Sequence, residues 1–205
     1  MLELIFNSFI TLLVVVDPLG LAPVFAALTR GAPEGYRRQA AVRGTLLGAV
    51  ILFAFAFIGD GLLAALGIGM PAFRIAGGIL LFLTALDMVF GHPLGHPSQS
   101  QDQEGQVIKS DISVFPLAIP LIAGPGAITT VLLYTGGRSP AETVAFLGVL
   151  TLVLALVLGS LLLAPRVMRL FGETGSDVIS RILGVLLAAL AVQFVLDGLQ
   201  AVLHP

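Results

Sequence analysis

The sequence predicts an all-α integral membrane protein of six transmembrane helices, built as two inverted three-helix repeats with helices 1 and 4 broken at Pro and Gly. Three observations predict it. Apolar residues make up 57% of the 205-residue chain and charged residues only 11%, against roughly 25% charged in soluble domains, so the polar side chains cannot cover a water-facing surface. Six apolar stretches meet the requirement of about 20 residues for crossing a bilayer core. The same proline-glycine punctuation interrupts the first and the fourth of them.

The expected spans are residues 4–28, 44–66, 72–90, 112–135, 144–163 and 178–203. The first follows Glu3 with no basic segment ahead of it and runs on to about Leu28. A secretory signal has a basic start and a shorter apolar core, so this stretch is expected to be retained as a span. Connections are short except for the polar, Pro-, Ser- and Gln-rich stretch after the third span, which reads as a linker. The expected organisation is one membrane domain: a first repeat at 1–90, a polar cytoplasmic linker at 91–111 and a second repeat at 112–205.

Loop charge sets orientation. Arg30, Arg37, Arg38 and Arg43 flank the first connection, Lys109 lies in the linker, and Arg166, Arg169 and Arg181 flank the last; Arg74 and Arg138 stand alone on the other side. The positive-inside rule then puts those three connections in the cytoplasm and both termini outside. Three is odd, so a second copy of a three-span unit inserts upside down relative to the first. Repetition shows in the helices too: Arg74-Ile75-Ala76-Gly77 opens the third span and Arg181-Ile182-Leu183-Gly184 the sixth, with Asp87, Gln193 and Asp197 towards their ends.

The interruptions read Asp17-Pro18-Leu19-Gly20-Leu21-Ala22-Pro23 and Pro120-Leu121-Ile122-Ala123-Gly124-Pro125-Gly126. Proline removes a backbone donor and crowds the preceding turn, so each break is expected to unwind about one turn and start new helix N-termini near 22–24 and 126–129. Unpaired N–H groups and the positive dipole end there suit a carboxylate, and freed carbonyls suit a cation or ammonium group. Paired breaks of this kind are where repeat-built transporters place substrate; the competing reading is a pair of kinks that shape packing. Candidate substrate contacts are Asp17, Pro18, Gly20, Ala22, Pro23 and Asn7 in the first half, and Gly124, Pro125, Gly126, Thr129 and Thr130 in the second.

Asp17 is the acid inside a span. A carboxylate at that depth is expensive and points to function: binding a coupling proton or sodium ion, or pairing with a substrate amino group. An Asp before Pro also caps a following helix, and both roles fit one residue. Ile119 stands at the equivalent position of the second half, so any site is asymmetric. Thr129, Thr130 and Asn7 either line the cavity or hydrogen-bond between helices and to their own backbone. Gly77, Gly78 and Gly184 read as close helix contacts, and Arg74 and Arg181 as interfacial residues.

Other chemistries are excluded or weak. Cysteine is absent, net charge is −2, and neither a thiolate site nor a nucleic-acid footprint follows. The histidines are His92, His96 and His204; the first two, with Asp102 and Glu104, form only a weak metal constellation. No hydrolase or phosphate-binding motif occurs, so the chain reads as a non-enzyme without cofactor or metal. Its expected partners are membrane lipids, a small solute, a coupling ion and a second copy of itself through small-residue patches.

The runs Val14–Thr29, Phe73–Gly91, Ala118–Leu133 and Arg181–Leu199 resemble the MarC family of bacterial and archaeal inner-membrane proteins, nearly end to end. The resemblance implies a six-span fold grouped with the LysE-type exporter superfamily, with some relatives described as neutral amino-acid transporters. The expected function is thus a secondary transporter or exporter of a small polar solute, best a neutral amino acid, by alternating access around helices 1 and 4. A channel is the alternative, and a membrane-embedded enzyme a more distant one.

Overall fold

A computed structural model describes residues 1–90 and 111–203. All secondary structure among them is helical: α1 (Leu2–Val16), α2 (Pro18–Leu28), α3 (Glu34–Ala65), α4 (Met70–Phe90), an irregular wide-turned helix at Ser113–Ile122, α5 (Pro125–Thr135), α6 (Pro140–Leu162) and α7 (Ala164–Leu203). Five helices are long and apolar enough to cross a membrane, six when Ser113–Ile122 and α5 count as one bent span. His92, His96, Lys109, His204 and nearly all of the expected linker lie outside the described residues.

The spans fall where the apolar stretches predicted them, but two helices are longer. α3 begins at Glu34 rather than Gly44, so Arg37, Arg38 and Arg43 ride on the helix instead of a loop. α7 begins at Ala164, with only Leu163 between it and the end of α6, and absorbs the expected fifth connection into a 40-residue helix. Both extensions are polar continuations of an apolar helix. Helix propensity is indifferent to where the apolar run stops, and Arg is a good helix former. At about 1.5 Å per residue, α7 exceeds a bilayer core of about 30 Å, and its apolar membrane-length part is Arg181–Leu203.

Local signals explain the best-defined start. Ser139 Oγ accepts from the Glu142 N–H, Glu142 accepts from the Ser139 N–H, and Pro140 occupies the first turn of α6. This reciprocal capping box satisfies two donors that a helix start leaves unpaired. The turn before it uses Gly137 at φ 65°, a left-handed conformation that favours glycine.

Contacts run mainly between the two halves of the chain. α4 packs along α7, α3 packs against Ser113–Ile122, α5 and α6, α1 and α2 pack against α6, α2 packs on α7, and α4 on α5. Small residues permit the closest approaches. On α4 and α7, Cβ atoms added at Gly78, Gly184 and Gly198 would lie 2.7, 3.2 and 2.8 Å from the carbonyl oxygens of Ala191, Ala85 and Pro71. On α3, added Cβ atoms at Gly44, Gly48 and Gly59 would strike Leu117, Ile122 and Leu132. Such stripes replace the hydrophobic drive that lipid cannot supply between helices.

The main core gathers Leu12, Phe25, Leu52, Leu117, Ile122, Phe146 and Leu150 from both halves. Large apolar side chains such as Phe57, Ile58, Val144, Ile182 and Val185 point outward and are more than half exposed. A soluble protein would bury such a belt; acyl chains cover it in a membrane.

Candidate functional site

The first interruption occupies one residue. Asp17 takes a left-handed conformation (φ 44°, ψ 70°), its N–H still donates to Leu13 O, and its own C=O accepts from the Leu21 N–H, each at 3.0 Å. Its carboxylate Oδ1 accepts from the Gly20 N–H at 2.9 Å. Asp17 is therefore the N-cap of α2 and Pro18 its first residue, where proline's missing donor costs nothing. Helix resumes at Pro18, not near Ala22, and Pro23 lies inside α2. The expected unwound turn shrinks to a single residue because this cap restarts the helix at once. Residues Leu2–Ala26 read as one continuous membrane-length span.

The second interruption is larger. Ser113–Ile122 contains Phe115 and Ile119 in extended conformation, each followed by a cis proline, and meets α5 at 53°. Gly124 is extended (φ −77°, ψ 169°), Pro125 starts α5, and the Ile128 N–H donates to Gly124 O at 3.0 Å. No side chain caps this helix start. Gly126 and Ala127 are buried, and among the described residues their N–H groups find no acceptor. A Cβ on Gly124 would stand 2.5 Å from Pro120 O, so the turn admits only glycine.

The second interruption lies against α1 and α4. A Cβ on Gly126 would lie 3.3 Å from Val15 Cγ1, two residues before Asp17, and 2.4 Å from Leu81 Cδ2. Asp17 is only 8% exposed and Ala22 0%; Pro18 is buried, while Gly20, Pro23 and Gly124 are half-buried and Pro125 is exposed. Thr130 Oγ1 donates to Gly126 O at 2.9 Å. Thr129 is buried and seats its methyl against Gly77, where a Cβ would fall 1.9 Å away. Gly77, Gly78 and Gly184 thus serve the close contacts expected of them.

Asn7 does not join this cluster. It is exposed, one position off the buried stripe of Ser8, Thr11 and Leu12. A contact that sequence reasoning missed lies on that stripe: Thr11 Oγ1 and Tyr134 Oη are 3.2 Å apart, joining α1 to α5 across 123 residues. The Tyr134 ring stacks on Phe146 of α6 with centroids 5.3 Å apart. Polar side chains inside apolar helices were the available signal for Thr11 and Tyr134, and the Gly44-to-Gly48 spacing was the signal for the α3 stripe.

Outside the apolar spans, Asp111 accepts from the Ser113 N–H at 3.1 Å and from its hydroxyl, and faces Arg43 Nη1 at 3.7 Å. The Ser113 bonds, helped by Arg43, hold its carboxyl below the usual value. A cavity of about 240 Å³ lies between α4 and α7, lined by Ile79, Phe82, Leu83, Ala191, Val192, Val195 and Leu196. Its walls are wholly apolar, so it suits hydrocarbon rather than a polar solute. No cluster of His, Asp or Glu suited to a metal occurs among the described residues.

These features define a multi-pass, all-helical membrane protein with a buried carboxylate in one interrupted span and an uncapped helix start in the other. The chain matches the MarC family integral membrane proteins over residues 2–203 and belongs to that family. Among its relatives are a UPF0056 membrane protein of Archaeoglobus fulgidus, 37% identical over 97% of this chain and 93% of the relative; the UPF0056 membrane protein YhcE of Escherichia coli, 35% identical over 96% and 92%; and one of Aquifex aeolicus, 36% identical over 96% and 92%. The family therefore has bacterial and archaeal members. No solved structure matches the chain.

Proposed function

We propose that the protein is a secondary transporter of a small zwitterionic solute, best a neutral amino acid, held between the two interruptions. The observation that carries this reading is the close approach of Gly126 to Val15, which puts the uncapped start of α5 against α1 two residues ahead of the buried Asp17. A carboxylate suits the Gly126 and Ala127 N–H groups at a positive dipole end. An ammonium group, a proton or a sodium ion suits Asp17, and coupling to an ion gradient follows from that placement.

Packing supports an inverted repeat. Exchange of the first, second and third spans with the fourth, fifth and sixth carries α2 on α7 into α5 on α4, α3 on Ser113–Ile122 into α6 on α1, and α2 on α6 into α5 on α3; all six pairs pack. A two-fold axis in the membrane plane accounts for this, and with the loop charges it favours both termini outside. Transport then proceeds by rocking the halves around the site.

The test is counterflow of labelled glycine or alanine in proteoliposomes. Saturable exchange that competes with unlabelled neutral amino acids is expected. Flux that stays linear in concentration for every neutral amino acid tried removes the reading.

A further inference from the structure

Four pairs pack without a repeat-related counterpart (α1 with α5, α1 with α7, α5 with α6, α6 with α7), and the first of them divides the two sides of the site. α1 packs against α5, on the side of the interruptions nearer the N-terminus. The repeat-related pair, α2 with Ser113–Ile122, makes no comparable contact. Directly above the Val15–Gly126 contact, the α1–α5 seam carries the Thr11–Tyr134 hydrogen bond and the Tyr134–Phe146 stack. Thr11 is 6% exposed. A polar bond there lies among apolar neighbours, where it holds two helices in one register and breaks as a unit.

We propose that Thr11 and Tyr134, backed by Phe146, form a gate closing the N-terminal-side mouth of the site, and that this structure is the conformation whose site faces the other side of the membrane. The inference rests on the transport reading for its purpose but not for its test. Tyr134 is the moving latch: its ring lies on Phe146 of α6, while its hydroxyl reaches α1 of the opposite half. When the halves rock, the α1–α5 seam parts and α2 closes on Ser113–Ile122, as the repeat symmetry requires. Tyr134 and Thr11 are thus positioning residues, setting which side the site faces without touching solute.

The chain has no cysteine, so one reporter thiol suffices. Val15→Cys sits below the gate, and its modification by a membrane-impermeant thiol reagent is read from each face of oriented vesicles. Two results are expected: the reporter reacts faster from the face opposite the N-terminus, and Tyr134→Phe, which keeps the stack, raises the N-terminal-side rate by about fivefold, the shift of a two-state equilibrium that lacks one net hydrogen bond. Thr11→Val, which keeps the shape, gives the same rise. Equal rates from both faces overturn the gate in favour of a continuous pore. Unchanged N-terminal-side rates in both variants, with unaltered melting in detergent, overturn the role of the pair. A protein that carries no amino acid but shows the predicted labelling loses the substrate reading and keeps the gate.

Discussion

At Asp17 the chain turns one residue into the left-handed region, caps the next helix with that residue's own carboxylate, and keeps nearly to its course. At Gly124 no side chain caps the following helix, the preceding segment is wide-turned, and the axis bends by 53°. Both contain a Pro-Leu pair and a second proline five residues on. The difference comes from the residue ahead of the first proline: Asp17 satisfies the helix start from within the chain, whereas Ile119 has nothing to offer. The first interruption therefore carries charge and little distortion. The second carries distortion and leaves its helix start without a side-chain cap.

The largest expected effect breaks the second interruption by filling its turn. Gly124→Ala brings a methyl to 2.5 Å from Pro120 O, a backbone atom that no rotamer change can remove. Overpacking of this kind costs about 1–3 kcal/mol, so the variant should melt well below the parent in detergent. Gly148→Ala, with nothing within 4 Å of the new methyl, is the control and should hold or gain stability by about 0.5–1 kcal/mol as a helix-interior substitution. Equal melting of the two variants would mean that the Gly124 turn is not a steric requirement.

The second effect separates the two roles of Asp17. Asp17→Ala removes the cap, a loss of about 1 kcal/mol, and puts a less tolerant residue in the left-handed region, about 1–2 kcal/mol more. Asp17→Asn retains an oxygen acceptor and tolerates the same backbone, so its thermal stability should stay close to the parent's. It lacks the charge, and solute exchange should lose its dependence on the proton or sodium gradient. An Asp17→Asn protein whose exchange keeps that dependence leaves the carboxylate as a cap alone.

The comparison also shows what could be read from the chain. Apolar runs fix the spans because burial in lipid is a property of each segment's own composition, and the prolines mark the interruptions because a missing donor is local. The Asp-Pro pair is legible as a cap as well, but two prolines predict an unwound turn between them and a helix start near Ala22. The carboxylate bond to the Gly20 N–H restarts the helix after one residue. The Thr11–Tyr134 bond was not legible, since its partners are 123 residues apart and only the packing of opposite halves brings them together. Asn7 and Thr11 are both polar residues in one apolar helix, and only neighbouring helices decide that one faces out and the other in.

The smallest expected effect concerns how the two interrupted spans begin. α1 starts at Leu2 with no side-chain cap, while Asp111, just ahead of the segment that leads to the second interruption, accepts from the Ser113 N–H and faces Arg43 of α3. The Ser113 bonds favour the ionised carboxylate and hold Asp111 below its ordinary 3.8. A folded-state value below the unfolded one means that the unfolded chain binds more protons, so this contribution is present above pH 3.8 and is lost as pH falls through the lowered value. Both side chains are exposed, about half or more by area, so solvent screening keeps the effect small. Melting of the parent should fall further between pH 7 and pH 3 than melting of Asp111→Asn, and Ser113→Ala should behave like Asp111→Asn because it removes the hydroxyl donor. Parallel acid profiles for all three proteins would show that Asp111 positions the segment without stabilising it.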